Sequence, residues 1–159
     1  MKNTAFPEYA VGLWAAEHYG ISVCWRASRL ESFLSDTHAR EQIADVALGL
    51  DESGKFLSLD VKITANLGAH IGPSTIHPVV SNIGGITGVY DISASHVLVE
   101  GVFSNTQNVS PYRGAGRPEA TYIIERMIDI AAEKMKRNTD LVIKSLNRFI
   151  YGSLTTAFE

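Results

Sequence analysis

Two strand-length runs, REQIADVALGL (40–50) and FLSLDVKITANLGAH (56–70), stand on either side of the short connection DESGK. Alternation of apolar and polar residues in both runs, with Gly54 able to supply the turn, predicts a long antiparallel hairpin. The other elements are placed around it. Phe6, Tyr9, Ala10, Leu13, Trp14 and Ala16 recur at helical spacing after Pro7, and Gly20 closes the pattern as a C-terminal cap. ISVCW (21–25) reads as a buried strand, with Trp14 and Trp25 in the core. SRLESFLSD (28–36) reads as a short helix with Ser28 as N-cap and Glu31 completing a capping box. Between Gly68 and Gly88, Gly, Pro and Ser mix with apolar residues, which predicts irregular chain around a short helix from about Pro78 to Ile83. HVLVEGVFSN (96–105) returns to strand, a helix follows from Pro118 to about Met135, and NTDLVIKSLNRFI (138–150) begins another with Thr139 as its cap. Strands and helices mix without strict alternation. The expected fold class is α+β: a mixed β-sheet with a long hairpin and packed helices, forming a single domain over residues 1–159.

The chain has 159 residues, 45% apolar and 19% charged, which is ordinary for a globular protein and large enough to bury a core. Its net charge of −3 and its scattered basic residues offer no basic face, so no nucleic-acid partner is expected. Cys24 is the only cysteine, which excludes an internal disulfide and a cysteine-built metal site and points to a reducing, cytoplasmic compartment. No apolar run is long enough for a membrane span, and Glu8, Glu17 and His18 interrupt the N-terminal stretch where a signal peptide would need an apolar core. The chain opens almost directly on a helical pattern and stops soon after another, so it reads as a piece of something larger.

The stretch NVSPYRGAGRPEATYIIERM (108–127) carries the densest chemistry. Gly114 and Gly116 allow positive φ and close backbone approach, Pro118 suits a first helical turn, and Glu119 complements the helix dipole. Arg113 and Arg117 then stand beside the unpaired N–H groups of a helix N-terminus. Two readings fit these residues: an anion site, or a helix-opening turn with solvent-facing arginines.

This loop, together with FPEYAVGLWAAEHYGISVCWRASRLESFLSDTHARE (6–41) and NTDLVIKSLNRFI, resembles the molybdenum-cofactor-binding large subunit of the xanthine dehydrogenase, aldehyde oxidase and carbon monoxide dehydrogenase family. The likeness spans the whole chain in order and spacing, which makes the chain an internal fragment of a molybdopterin-binding domain. It implies a molybdenum-dependent hydroxylase in which the loop approaches the molybdenum-pterin cofactor. Arg113 falls on a cofactor-contacting arginine, Gly114 lets backbone pass close to the metal, and Ala115 lines the substrate pocket. Copper-containing carbon monoxide dehydrogenases carry a cysteine where this chain has Gly114, so no copper site is expected. Xanthine-oxidising members place a glutamate at Asn3, an arginine at about Ser81 and a phenylalanine at Ala115. Loss of all three argues against a purine and for a small aldehyde or another heterocycle. The family's general-base glutamate and its GFG segment are not among these residues, so no catalytic residue is expected in this chain, and the isolated chain is expected to be inactive. The implied partners are the remainder of the large subunit and modules carrying iron–sulfur clusters and FAD.

Other candidates have plainer readings. His18, His38, His70, His77 and His96 are too dispersed for a metal site, Glu125 and Asp129 read as a solvated helix face, and Ser110 lacks the GxSxG context of a hydrolase nucleophile. Asp36, Thr37 and Arg40 either hydrogen-bond the cofactor region or cap the turn before the hairpin. Two rival functions use the same residues: a free-standing anion- or nucleotide-binding module built on RGAGR, and a structural remnant of a truncated subunit.

Overall fold

The computed structural model describes residues 6–81 and 83–136. Helix α1 (Pro7–Tyr19) and helix α2 (Arg29–Ser35) precede strands β1 (Gln42–Leu50) and β2 (Phe56–Gly68). Helix α3 (Ile76–Val80), a 3-10 turn (Ile83–Gly85), strand β3 (Ala94–Phe103) and helix α4 (Arg117–Lys134) complete the described elements. The sheet order is β1-β2-β3, with β1 antiparallel and β3 parallel to β2. The architecture is α+β with a mixed sheet.

The hairpin forms where alternation placed it, and its turn has two local causes. Gly54 takes φ 93°, a left-handed conformation that glycine adopts without steric cost. The Asp51 carboxylate accepts from the Ser53 hydroxyl at 2.6 Å and from the backbone N–H groups of Ser53 and Lys55 at 2.8 and 3.0 Å. The Ser53 hydroxyl, followed by the Lys55 N–H, holds this carboxyl below the usual range. A bulge at Leu57 shifts the register, so Leu50 pairs with Phe56 while Gly49 pairs with Ser58. Phe56 and Leu59 therefore both reach the buried face.

That face is covered by α4. Ala120, Ile123, Ile124, Ile128 and Ala132 form one helical stripe that packs with Phe56, Leu59, Val61, Ile63, Ala65 and Leu67 of β2. The opposite face of β2 is polar: Asp60 meets His96 at 2.8 Å and Lys62 meets Glu100 at 2.9 Å, both exposed. A sheet covered on one side and wet on the other accounts for the alternation in the sequence.

Several expectations need correction. Residues 21–27 have no regular secondary structure, and Ile21, Val23 and Trp25 are exposed, so ISVCW is not a buried strand. Trp14 and Trp25 are 56% and 61% exposed rather than core. Trp14 stacks on His18 at 5.0 Å within α1, of which no residue is buried. The physical reason is the same in each case, since apolar residues mark surface to be covered but among the described residues nothing covers this side. The short helix is displaced: α3 starts two residues ahead of Pro78, which puts the proline in its first turn, and the turn at Ile83–Gly85 is separate. The capping box at Ser28 and Glu31 forms as expected, as does the Gly20 cap with φ 64°. NTDLVIKSLNRFI lies outside the described residues.

Candidate functional site

The loop from Tyr112 to Gly116 joins the segment after β3 to the start of α4, and its shape follows from its glycines. Gly114 and Gly116 take φ 80° and 84°. Two tight turns result, with Ala115 N–H donating to Tyr112 O at 2.8 Å and Arg117 N–H donating to Gly114 O at 2.9 Å. A Cβ added at Gly114 would meet only Pro118, at 3.4 Å and 3.5 Å, so the glycine is required by its φ and its outer side is open among the described residues. Helix α4 begins at Arg117, one residue earlier than expected.

The loop is fixed from two sides. Ser81 Oγ donates to Ala115 O at 2.9 Å, bringing together two of the residues singled out in the sequence. Arg40 donates from Nη2 to Arg113 O at 2.7 Å and from Nη1 to Glu119 Oε1 at 2.7 Å, and its guanidinium lies 5.4 Å from the Tyr112 ring centre. Glu119 is 10% exposed at its side chain, and its Oε2 is buried with no hydrogen-bond partner among the described residues. It therefore does more than complement the helix dipole. Arg40 is held in left-handed backbone at φ 68°, a conformation that costs a non-glycine residue about 1–3 kcal/mol.

The base of the site is a polar seam. Backbone at Gln107 and Asn108 crosses directly over Gly68, where an added Cβ would stand 2.5 Å from Gln107 O and from Asn108 Cα. Asn66 donates to Glu41 at 2.8 Å and to Thr106 at 2.9 Å, and accepts from Gly68 N–H and Ser104 Oγ, both at 2.8 Å. His38 Nε2 donates to Gln107 O at 2.8 Å, and Ser110 N–H donates to His38 O at 2.9 Å. Every polar atom of the buried Asn66 side chain is thus used to hold the approach to the loop.

Arg113 and Arg117 are exposed, and among the described residues neither guanidinium has a hydrogen bond or ion-pair partner. Asn3 lies outside the described residues. Asp36 ends α2, its backbone N–H donating to Ser32 O. Glu125 is not on a solvated face: it is half-buried and accepts from Tyr90 Oη at 2.8 Å. Burial, with Glu125 second, pushes the Tyr90 hydroxyl well above its usual pKa. No group of three His, Cys, Asp or Glu side chains among the described residues is arranged to hold a metal ion. The same residues include no helix long and apolar enough to cross a membrane.

Arg40 and Glu119, 79 positions apart, are what residue-by-residue reading missed as a pair. The signals were Arg40, placed at the turn before the hairpin with two roles open, and Glu119, read only as complementing the helix dipole.

The sequence profile of the molybdopterin cofactor-binding domain matches residues 1–145. The gamma subunit of the 6-hydroxypseudooxynicotine dehydrogenase complex of Paenarthrobacter nicotinovorans is 35% identical over 137 residues, covering 85% of this chain and 17% of that one. The carbon monoxide dehydrogenase large chain of Hydrogenophaga pseudoflava is 33% identical over 135 residues, covering 82% and 17%. The crystal structure of quinoline 2-oxidoreductase from Pseudomonas putida 86 superposes with a TM-score of 0.78 at 27% identity, covering 86% of this chain and 18% of that one. The chain thus spans about a sixth of the length of these relatives.

Proposed function

Because the chain belongs to the molybdopterin cofactor-binding domain family, we propose that it forms one wall of the cofactor and substrate pocket of a molybdenum hydroxylase, with Arg113 and Gly114 facing the pterin cofactor and Ala115 facing substrate. One observation carries this reading: Arg113 presents an exposed guanidinium, unpaired among the described residues, on a loop whose backbone is held by Arg40 and Ser81. A flexible surface arginine would need no such frame. The donor set suits an anionic, oxygen-rich cofactor, since a guanidinium offers a planar fork and the open side of Gly114 carries no side chain to obstruct approach.

When bound, the cofactor supplies the oxidative chemistry of hydroxylation. This chain's part is to bind and orient. Arg113 donates charge-assisted hydrogen bonds, and Ala115 leaves room beside the loop. The Ser81 hydroxyl spends its proton on Ala115 O, so it sets the loop's position and offers a substrate only its lone pairs. The methyl side chain of Ala115 and the missing arginine at Ser81 favour a small aldehyde or an uncharged heterocycle over a purine. The general base, the iron–sulfur clusters and FAD come from the remainder of the subunit and its partner modules, in the cytoplasm.

The test is molybdenum content, measured by metal analysis on the assembled subunit with and without Arg113→Lys. Occupancy falling at least tenfold in the variant supports the assignment. Unchanged occupancy and unchanged turnover remove Arg113 from the cofactor.

A further inference from the structure

We propose that Arg40 is a positioning residue for the 112–116 loop, setting the direction in which Arg113 and Gly114 face the cofactor; the inference rests on the reading that this loop is a cofactor wall. Three observations converge. The first is local strain, since Arg40 is one of two non-glycine residues with positive φ among the described residues, at 68°. Such backbone persists where surrounding contacts over-determine it. The second is what those contacts are. One face of the guanidinium fork reaches the carbonyl of Arg113 and another reaches Glu119 Oε1, both at 2.7 Å, so a single side chain ties the loop to the first turn of α4. Tyr112 lies alongside the same guanidinium.

The third observation is the rigidity of the platform from which Arg40 projects. His38 is bonded to Gln107 and Ser110, and the Glu41 carbonyl accepts from Asn66 N–H at 3.0 Å. Residues on both sides of Arg40 are therefore pinned, His38 to the segment after β3 and Glu41 to β2. Holding both Arg113 O and Glu119 needs the planar fork, because a lysine ammonium is a single point that cannot lie at both sites in the same geometry. Arg40 touches neither cofactor nor substrate in this account. It acts through the Arg113 carbonyl.

The carbonyl that Arg40 holds belongs to a bond trypsin hydrolyses, Arg113–Gly114, and this gives a readout independent of activity. In the 159-residue chain, Arg40→Gly accepts the positive φ and removes the guanidinium, while Arg40→Lys keeps the charge. Initial cleavage after Arg113 is expected to rise about fivefold or more in Arg40→Gly and by less in Arg40→Lys, with cleavage after Lys55 in the distant hairpin turn unchanged. Faster cleavage after Lys55 in Arg40→Gly would show a general loss of fold, and Arg40→Lys then decides alone. Parent-like cleavage after Arg113 in that variant overturns the proposal.

The second arm uses the assembled, cofactor-loaded enzyme. Arg40→Gly should lower molybdenum per chain, with partial rescue in Arg40→Lys. If Arg113→Lys loses molybdenum while Arg40→Gly retains it, the cofactor wall stands and the positioning role is overturned. If neither variant loses molybdenum, the wall itself is overturned, and the positioning role with it.

Discussion

Ser81 Oγ donates to the carbonyl of Ala115 at 2.9 Å, across 34 positions of chain. The crossover between β2 and β3 thereby touches the loop that opens α4. The same loop is gripped on its other side by Arg40, so its path is set by two distant segments as well as by its own glycines. The predictions below test that frame and the surfaces around it.

Within an assembled subunit, Arg113→Lys keeps the charge and loses the fork, at about 1.5–3 kcal/mol for each charge-assisted hydrogen bond removed. Turnover or molybdenum content should fall about tenfold or more. Arg117→Lys is the internal control, because that exposed residue should tolerate the change within about 0.5 kcal/mol. Equal effects from the two substitutions would count against a special role for Arg113.

The isolated chain should bind a hydrophobic dye and self-associate. Leu13, Trp14, Ile21, Trp25, Leu30, Phe33 and Leu34 are all exposed on one stretch of chain. Light scattering that finds only monomer, with no dye fluorescence, would contradict this. The same preparation should contain no stoichiometric molybdenum and oxidise no aldehyde, since the chain spans about a sixth of its relatives.

Gly68→Ala should be severe. Its φ of 79° costs a side-chain-bearing residue about 1–2 kcal/mol, and the new methyl would overlap the backbone of Gln107 and Asn108. Chemical denaturation should show a loss of at least that size. Gly114→Ala carries the same backbone cost without the overlap, since only Pro118 is near. A milder loss there separates strain from crowding.

Stability should fall at alkaline pH through Tyr90. Its folded pKa lies above the ordinary value of 10.0, so the contribution is fully present below about pH 10 and is lost as the pH rises further and the unfolded chain ionises first. Denaturation midpoints from pH 8 to 11 should show a steeper fall in the parent than in Tyr90→Phe. That variant should lose about 0.5–1.5 kcal/mol at neutral pH through the missing bond to Glu125. Parallel pH profiles would exclude Tyr90 as the cause.

What sequence made legible was what local rules decide. The capping box at Ser28, the Gly20 cap, the hairpin with Gly54 and the paired glycines of the loop each depend on a few adjacent residues. What it hid were relationships settled by distant surfaces. Trp14, Trp25 and ISVCW carry every local mark of a core, yet whether they are buried depends on what packs over them. Glu125 looked like one acid on a wet helix face because its partner, Tyr90, comes from another part of the chain. Ala115 and Ser81 were chosen through family resemblance, which also gave Arg113 and Gly114 their cofactor role. Their spacing alone could not show that Ser81 and Ala115 touch, nor that Arg40 holds the loop.

The parallel pairing of β2 with β3 also orders events in time. The β1–β2 hairpin closes over five residues, a microsecond step, whereas parallel neighbours need a long crossover before they can pair. During vectorial synthesis the hairpin can therefore close well before β3 has emerged, and the loop at 112–116, which follows both Arg40 and Ser81 in the chain, is fixed only once it has emerged itself. Among the described elements, the wall assigned to the cofactor is thus among the last parts to set. Pulse-labelled hydrogen exchange should find the β1–β2 amides protected while residues 104–116 still exchange freely.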